Sequence, residues 1–180
     1  MALKLNPFRK SPPLVVVLSL QGAIGVQSRF GRALDLARLE PALTQAFSVK
    51  GARAVAITVN SPGGSPVQSA LIHDRIRQLS EEKKVPVYMF AEDVAASGGY
   101  MLLLAGDEIY AHPASIVGSI GVVYGGFGFS EAIRRLGIER RVHSAGERKV
   151  MLDPFLPEDP EDVARLRAIQ RDVHDFFKAM

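Results

Sequence analysis

Short apolar runs recur along the chain, separated by stretches in which apolar residues return every three to four positions. Leu14–Leu20 (LVVVLSL), Ala52–Val59 (ARAVAITV), Val85–Ala91 (VPVYMFA) and Glu108–Ala111 have the length and β-branched or aromatic content of strands, with Glu139–His143 as a further, less apolar candidate. Between them the helical period predicts helices over about Asp35–Phe47, Pro66–Lys83, Ala96–Leu104, Ser130–Leu136 and Glu161–Lys178. In the second of these, Val67, Leu71, Ile76 and Leu79 supply an apolar side, and Arg75, Arg77, Glu81 and Glu82 are left to water. Strands alternating with helices predict an α/β layered fold with a mostly parallel sheet. The pattern places one domain over residues 14–180, behind a flexible basic tail over 1–13. Glycines gather at the joints, at Gly63-Gly64, Gly98-Gly99, Gly118 and Gly121, where an α/β fold binds its ligands beyond the carboxyl ends of parallel strands.

Composition narrows the chemistry. With 180 residues, 47% of them hydrophobic, the chain can bury a core without disulfides or a structural metal. It has no cysteine, which removes thiolate nucleophiles, Cys-based zinc sites and iron–sulfur clusters, so any nucleophile is an oxygen or a nitrogen. The net charge is only +3, with basic and acidic residues interspersed, and no nucleic-acid partner is expected. Local asymmetry is greater: Arg134, Arg135, Arg140, Arg141, Arg148 and Lys149 stand just before the carboxylates of residues 153–162, predicting neighbouring surface patches. Leu14–Leu20 falls far short of the roughly 20 residues of a bilayer span. Pro12-Pro13 and the lack of an A-x-A site argue for a strand there and against a signal peptide. The chain is therefore placed in the cytoplasm, with contact to the inner membrane at most peripheral, through Met1, Leu3, Leu5 and Phe8 among the tail's basic residues.

Familiar cofactor motifs are poorly matched. Gly126-Phe127-Gly128 has Glu131 where a dinucleotide fingerprint has its last glycine. Gly146 and Lys149 lack phosphate-loop spacing. His73, His112, His143 and His174 are scattered, so neither a metal nor a cofactor is expected.

Two glycine-rich joints carry chemistry. Ala95-Ala96-Ser97-Gly98-Gly99-Tyr100 lies between an apolar strand and the apolar stretch Met101–Ala105, and reads A-x-S-x-G. A nucleophile elbow needs small residues two before and two after the serine, because the turn is tight. A helix starting there aims free N–H groups at an oxyanion. The same residues also suit a plain helix N-cap, and the hexapeptide alone supports both readings. Asn60-Ser61-Pro62-Gly63-Gly64 also follows a strong strand, and its glycines can turn an amide N–H outward; a plain Pro-Gly turn fits it as well.

NSPGG, ASGGY, GSIGV (Gly118–Val122) and a lysine before LDPF (Leu152–Phe155), in this order, resemble the signal peptide peptidase A family of serine–lysine proteases, similar in fold to Clp protease and crotonase. The resemblance covers roughly residues 14–177 and implies repeated ββα units ending in a C-terminal helix. It makes Ser97 the nucleophile and Lys149, 52 residues later, the general base, with oxyanion donors at the amides of Gly98 and Gly64. It also implies peptide substrates, hydrophobic ones such as signal-peptide remnants, and a homo-oligomer in which adjacent protomers can share a serine and a lysine. Two departures stand out: Arg148 replaces an aromatic residue often found before the lysine, and the family continues beyond the point corresponding to Met180. On that pattern the family's C-terminal portion is missing.

Physical chemistry sets what such a base requires. Bringing a lysine from about 10.4 to about 7–8 disfavours its charged form by roughly 3–5 kcal/mol, which burial can supply. Val150, Met151 and Leu152 are candidates for an apolar wall; taken alone, Lys149 is an ordinary solvated lysine in a basic loop. A histidine base, with His143 the better candidate over His112, is the competing mechanism. A crotonase-like CoA-binding enzyme and an inactive scaffold of a membrane-associated complex are the competing functions. In the last helix Val163, Leu166, Ile169, Val173, Phe176 and Phe177 form an apolar stripe that predicts burial on its own domain or on a neighbouring subunit.

Overall fold

The computed structural model describes residues 12–25, 33–146 and 149–180; Met1, Leu3, Leu5 and Phe8 of the tail, and Arg148, lie outside the described residues. The chain forms two compact units, Met1–Ile120 and Gly121–Met180.

The first unit runs β1 (Leu14–Gln21), α1 (Leu36–Ser48), β2 (Ala52–Ser61), α2 (Pro66–Lys83), β3 (Val87–Ala96), α3 (Gly98–Leu103), β4 (Glu108–Ala111) and β5 (Ile116–Gly118). All pairings among these strands are parallel, in the order β1-β2-β3-β4, and β5 also pairs with β3. This is the α/β fold with a parallel sheet that the alternation predicts. Alternate residues of the central strands (Val55, Ile57 and Val59 of β2; Val87 and Met89 of β3) pack on Leu43 and Phe47 of α1 and Ile72, Ile76 and Leu79 of α2. Ile57 is fully buried in the strand between β1 and β3. Ile57→Ala should destabilise the fold by about 2–5 kcal/mol, seen as a lower denaturant midpoint at unchanged slope. An unchanged midpoint would remove this cluster from the core.

Three expectations are corrected here. The third strand ends at Ala96, not Ala91, because its second half finds a partner in β5: Val94, Ala95 and Ala96 pair with Ile116, Val117 and Gly118. The charges at Glu92 and Asp93 are absorbed by neighbours: Gln21 Nε2 donates to Glu92 at 3.4 Å and Asn60 Nδ2 to Asp93 at 3.2 Å. In α2, Val67 and Leu71 face solvent, and the buried side is Ser69, Ile72, Ile76, Leu79 and Ser80. The third correction, at Glu139–His143, concerns the second unit.

Asp107 ties the start of β3 to α2. Its carboxylate accepts from the Val87 N–H at 2.8 Å and from Arg77 Nη1 at 2.9 Å. The Val87 amide first, and then the Arg77 guanidinium, hold its pKa below the ordinary aspartate value. A depressed folded pKa contributes stability above the unfolded value, about 3.9, that is lost as pH falls through the folded one. The melting temperature of Asp107→Asn should therefore lie below wild type at pH 7, and the gap should close as pH drops below about 4. A gap independent of pH would mean that the charge contributes nothing.

The second unit contains α4 (Ser130–Arg135) and α5 (Pro160–Ala179). Glu139–His143 is not a strand: among the described residues of this unit no strand lies beside it to complete a ladder. Arg140 instead reaches Asp153 at 2.7 Å and stacks 4.8 Å above the Phe155 ring. Phe129 lies 5.6 Å from Phe155 and 6.0 Å from Phe127, centroid to centroid. The α5 stripe is only partly covered: Phe177 is buried, whereas Ile169 is 54% and Phe176 50% exposed. Among the described residues, no helix is long and apolar enough to cross a membrane.

Candidate active site

β3 delivers its chain into Ser97, and α3 begins on the next residue. Ser97 has φ 52° and ψ −120°, a conformation sparsely populated by residues with a Cβ, and its side chain caps no helix N–H. That geometry departs from an N-cap, which has an extended backbone and a side chain turned onto the helix. It has the form of a nucleophile elbow, which throws the hydroxyl clear of the sheet and the helix it joins. Packing holds the strain in place. The Ser97 N–H donates to Gly118 O at 2.7 Å, and its carbonyl accepts from Tyr100 and Met101 at 2.9 and 3.1 Å. Small neighbours are obligatory, since a Cβ on Gly99 would come within 2.6 Å of Ser61 O.

The NSPGG loop packs directly on this turn. A Cβ on Gly63 would sit 2.8 Å from Ala96 O, Gly98 N and Ser97 Cβ, and one on Gly98 would sit 3.4 Å from Gly64 N. Ile24 clamps the loop from the other side: its N–H donates to Gly63 O at 2.9 Å and its carbonyl accepts from Ser65 N–H at 2.8 Å. Among the described residues, neither the Gly64 nor the Gly98 N–H has an acceptor. Ser97 and Gly98 of ASGGY and Gly64 of NSPGG are thus brought together in the first unit. Two free amides beside a strained serine can bind an oxygen that gains negative charge.

Lys149 lies in the second unit and is exposed, as are Val150 and Met151. Of the histidines, His112 Nδ1 accepts from the Ala114 N–H at 3.1 Å and closes its own turn, and His143 is exposed in the second unit. Two contributors carry no role in the sequence reading. Gly118 belongs to GSIGV, but its carbonyl on the Ser97 amide depends on a strand three residues long, too short for periodicity to reveal. Ser61 was visible only as part of NSPGG, although its Oγ accepts the Gly63 N–H at 3.1 Å.

Comparison with known proteins places the chain in a family. A protein of Brucella melitensis named Na(+)/H(+) antiporter NhaA is 54% identical over 171 residues, covering 94% of this chain and 23% of that protein. The chloroplastic serine protease SPPA of Arabidopsis thaliana is 32% identical over 147 residues, 79% of this chain and 21% of that protein. The chain thus spans less than a quarter of the length of either relative. Among solved structures, a membrane-bound stomatin-specific protease superposes with a TM-score of 0.48 at 23% identity, over 67% of this chain and 53% of that one. The pattern of Peptidase family S49 matches residues 79–179, a stretch that holds both Ser97 and Lys149, and the chain belongs to that family.

Proposed function

We propose that the protein is a serine endopeptidase in which Ser97 and Lys149 form a catalytic dyad. The observation that carries this reading is the strained Ser97 set against two unengaged amides. Neutral Lys149 Nζ takes the Ser97 Oγ proton as Oγ attacks the scissile carbonyl, and the oxyanion accepts hydrogen bonds from the Gly64 and Gly98 N–H groups. The lysine then passes its proton to the departing amine. Water, deprotonated by the same lysine, hydrolyses the acyl-enzyme and restores Ser97. The Ser97 N–H is already bound to Gly118, which supports the oxyanion donors implied by the family resemblance, the next amide and the neighbouring loop.

Hydrophobic peptides, including signal-peptide remnants, are the proposed substrates, in line with the family resemblance. A segment 54% identical to this chain occurs within a protein named as an antiporter, which supports a working place beside a membrane, reached from the cytoplasm by peripheral contact. A homo-oligomer is proposed because much of the α5 stripe is open in the single chain, and exposed apolar area forgoes about 25 cal/mol per Å² of burial. Burial of the exposed Lys149, which its role as base requires, then comes from a neighbouring protomer or from bound peptide.

A fluorophosphonate probe should label wild-type protein at Ser97 alone; a CoA-binding enzyme or an inactive scaffold would remain unlabelled. With a lysine base, kcat/KM should rise through an apparent pKa above the ordinary histidine value of about 6.5, and a profile already flat from pH 6 would reject it. If the dyad is shared, inactive Ser97→Ala and Lys149→Ala chains should regain activity when mixed under subunit exchange. Mixed oligomers without recovery would reject sharing.

A further inference from the structure

Among the described residues, the turn Gly63–Ser65 leaves one amide to face a ligand, and a buried hydroxyl decides which. The Gly63 N–H donates to Ser61 Oγ at 3.1 Å, the Gly63 carbonyl accepts from Ile24, and the Ser65 N–H donates to Ile24. The other backbone N–H groups between Gly63 and Ser65 are thus consumed, leaving the Gly64 N–H. Ser61 has no exposed surface, so its oxygen is placed by packing and not by solvent. It also packs beside the segment that carries the second amide: a Cβ on Gly99, the residue after Gly98, would lie 3.2 Å from Ser61 Cβ. On β2 it stands opposite Ala95, two residues before Ser97. One side chain therefore meets both segments that present free amides.

We propose that Ser61 is a positioning residue for the oxyanion site: by holding the Gly63 N–H, its hydroxyl turns the next peptide so that the Gly64 N–H points at the substrate oxygen. The proposal rests on the serine peptidase reading above. Without the hydroxyl, the Gly63 N–H becomes a buried donor with no partner, and the loop rotates to find one. An amide aimed a few tenths of an ångström wide still admits substrate but no longer meets the oxyanion, so the loss falls on the transition state.

The test compares wild type with Ser61→Ala and Ser61→Cys in the full chain, the second keeping the volume while offering only a weak acceptor. Four quantities are measured: kcat, KM, affinity for a peptidyl aldehyde, whose adduct with a serine hydroxyl is tetrahedral, and affinity for the corresponding peptide amide. Ser61→Ala should lower kcat about tenfold to a hundredfold and weaken the aldehyde by the same factor, with KM and amide binding within about twofold of wild type. Ser61→Cys should move in the same direction. Unchanged kcat and aldehyde affinity overturn the proposal, as does a parallel loss of all four quantities, which marks a purely structural residue. If wild-type protein neither cleaves peptide nor takes the fluorophosphonate at Ser97, the peptidase reading fails and carries the proposal with it. Labelled, active wild type with unaffected Ser61 variants rejects the positioning role alone.

Discussion

Replacing Ser97 by alanine should lower kcat/KM by about four orders of magnitude or more, and replacing Lys149 by alanine should do nearly the same, because a nucleophile and its base act as one unit. Neither change should unfold the protein. The Ser97 side chain makes no capping bond, and Lys149 is exposed. Ser97→Gly sharpens the test: glycine adopts φ 52° without the strain that a Cβ brings, so this variant should be inactive yet more stable by about 1 kcal/mol. A rise in melting temperature together with lost activity is the signature of strain held for function. His112→Ala and His143→Ala should stay active, since His112 closes its own turn. Near-normal turnover by Lys149→Ala would remove the dyad, and total loss in a folded His143→Ala protein would move the base to that residue.

What could be read in advance follows the range of the forces involved. β1, β2, α1 and α2 are written in runs long enough for hydrophobic period to dominate, and they appear close to their expected bounds. β5 has three residues and exists only because the second half of β3 offers it an edge, which is a relation between segments about 20 positions apart. Glu92 and Asp93 look like a strand ending until Gln21 and Asn60 are seen beside them. Glu139–His143 fails for the opposite reason, a plausible strand with no neighbour to pair with. At the site, the small residues around Ser97 pointed to a tight turn, but choosing between a cap and an elbow required the backbone angle itself. Lys149 is legible only through resemblance, since nothing in its local chemistry distinguishes it from a solvated lysine.

Gly64→Ala should reduce kcat/KM by about a hundredfold to a thousandfold, comparable to deleting an oxyanion donor. Gly64 has φ 147°, and a Cβ there would overlap the Ile24 carbonyl oxygen. That oxygen is backbone and already accepts the Ser65 N–H, so it cannot swing aside as a side chain can. The loop must shift, and its free amide leaves the position beside Gly98. Gly51 provides the control. It has φ 84° but open space around its Cβ position, so Gly51→Ala carries only the backbone penalty, about 1–2 kcal/mol, and should leave kcat/KM untouched. Comparing the two variants by melting temperature and by kcat/KM separates a general loss of stability from a local loss of the donor. If Gly64→Ala is folded and its kcat/KM stays within about threefold of wild type, the Gly64 amide is not an oxyanion donor. The assignment then passes to Gly98 alone, whose N–H sits at the first turn of α3, immediately after Ser97.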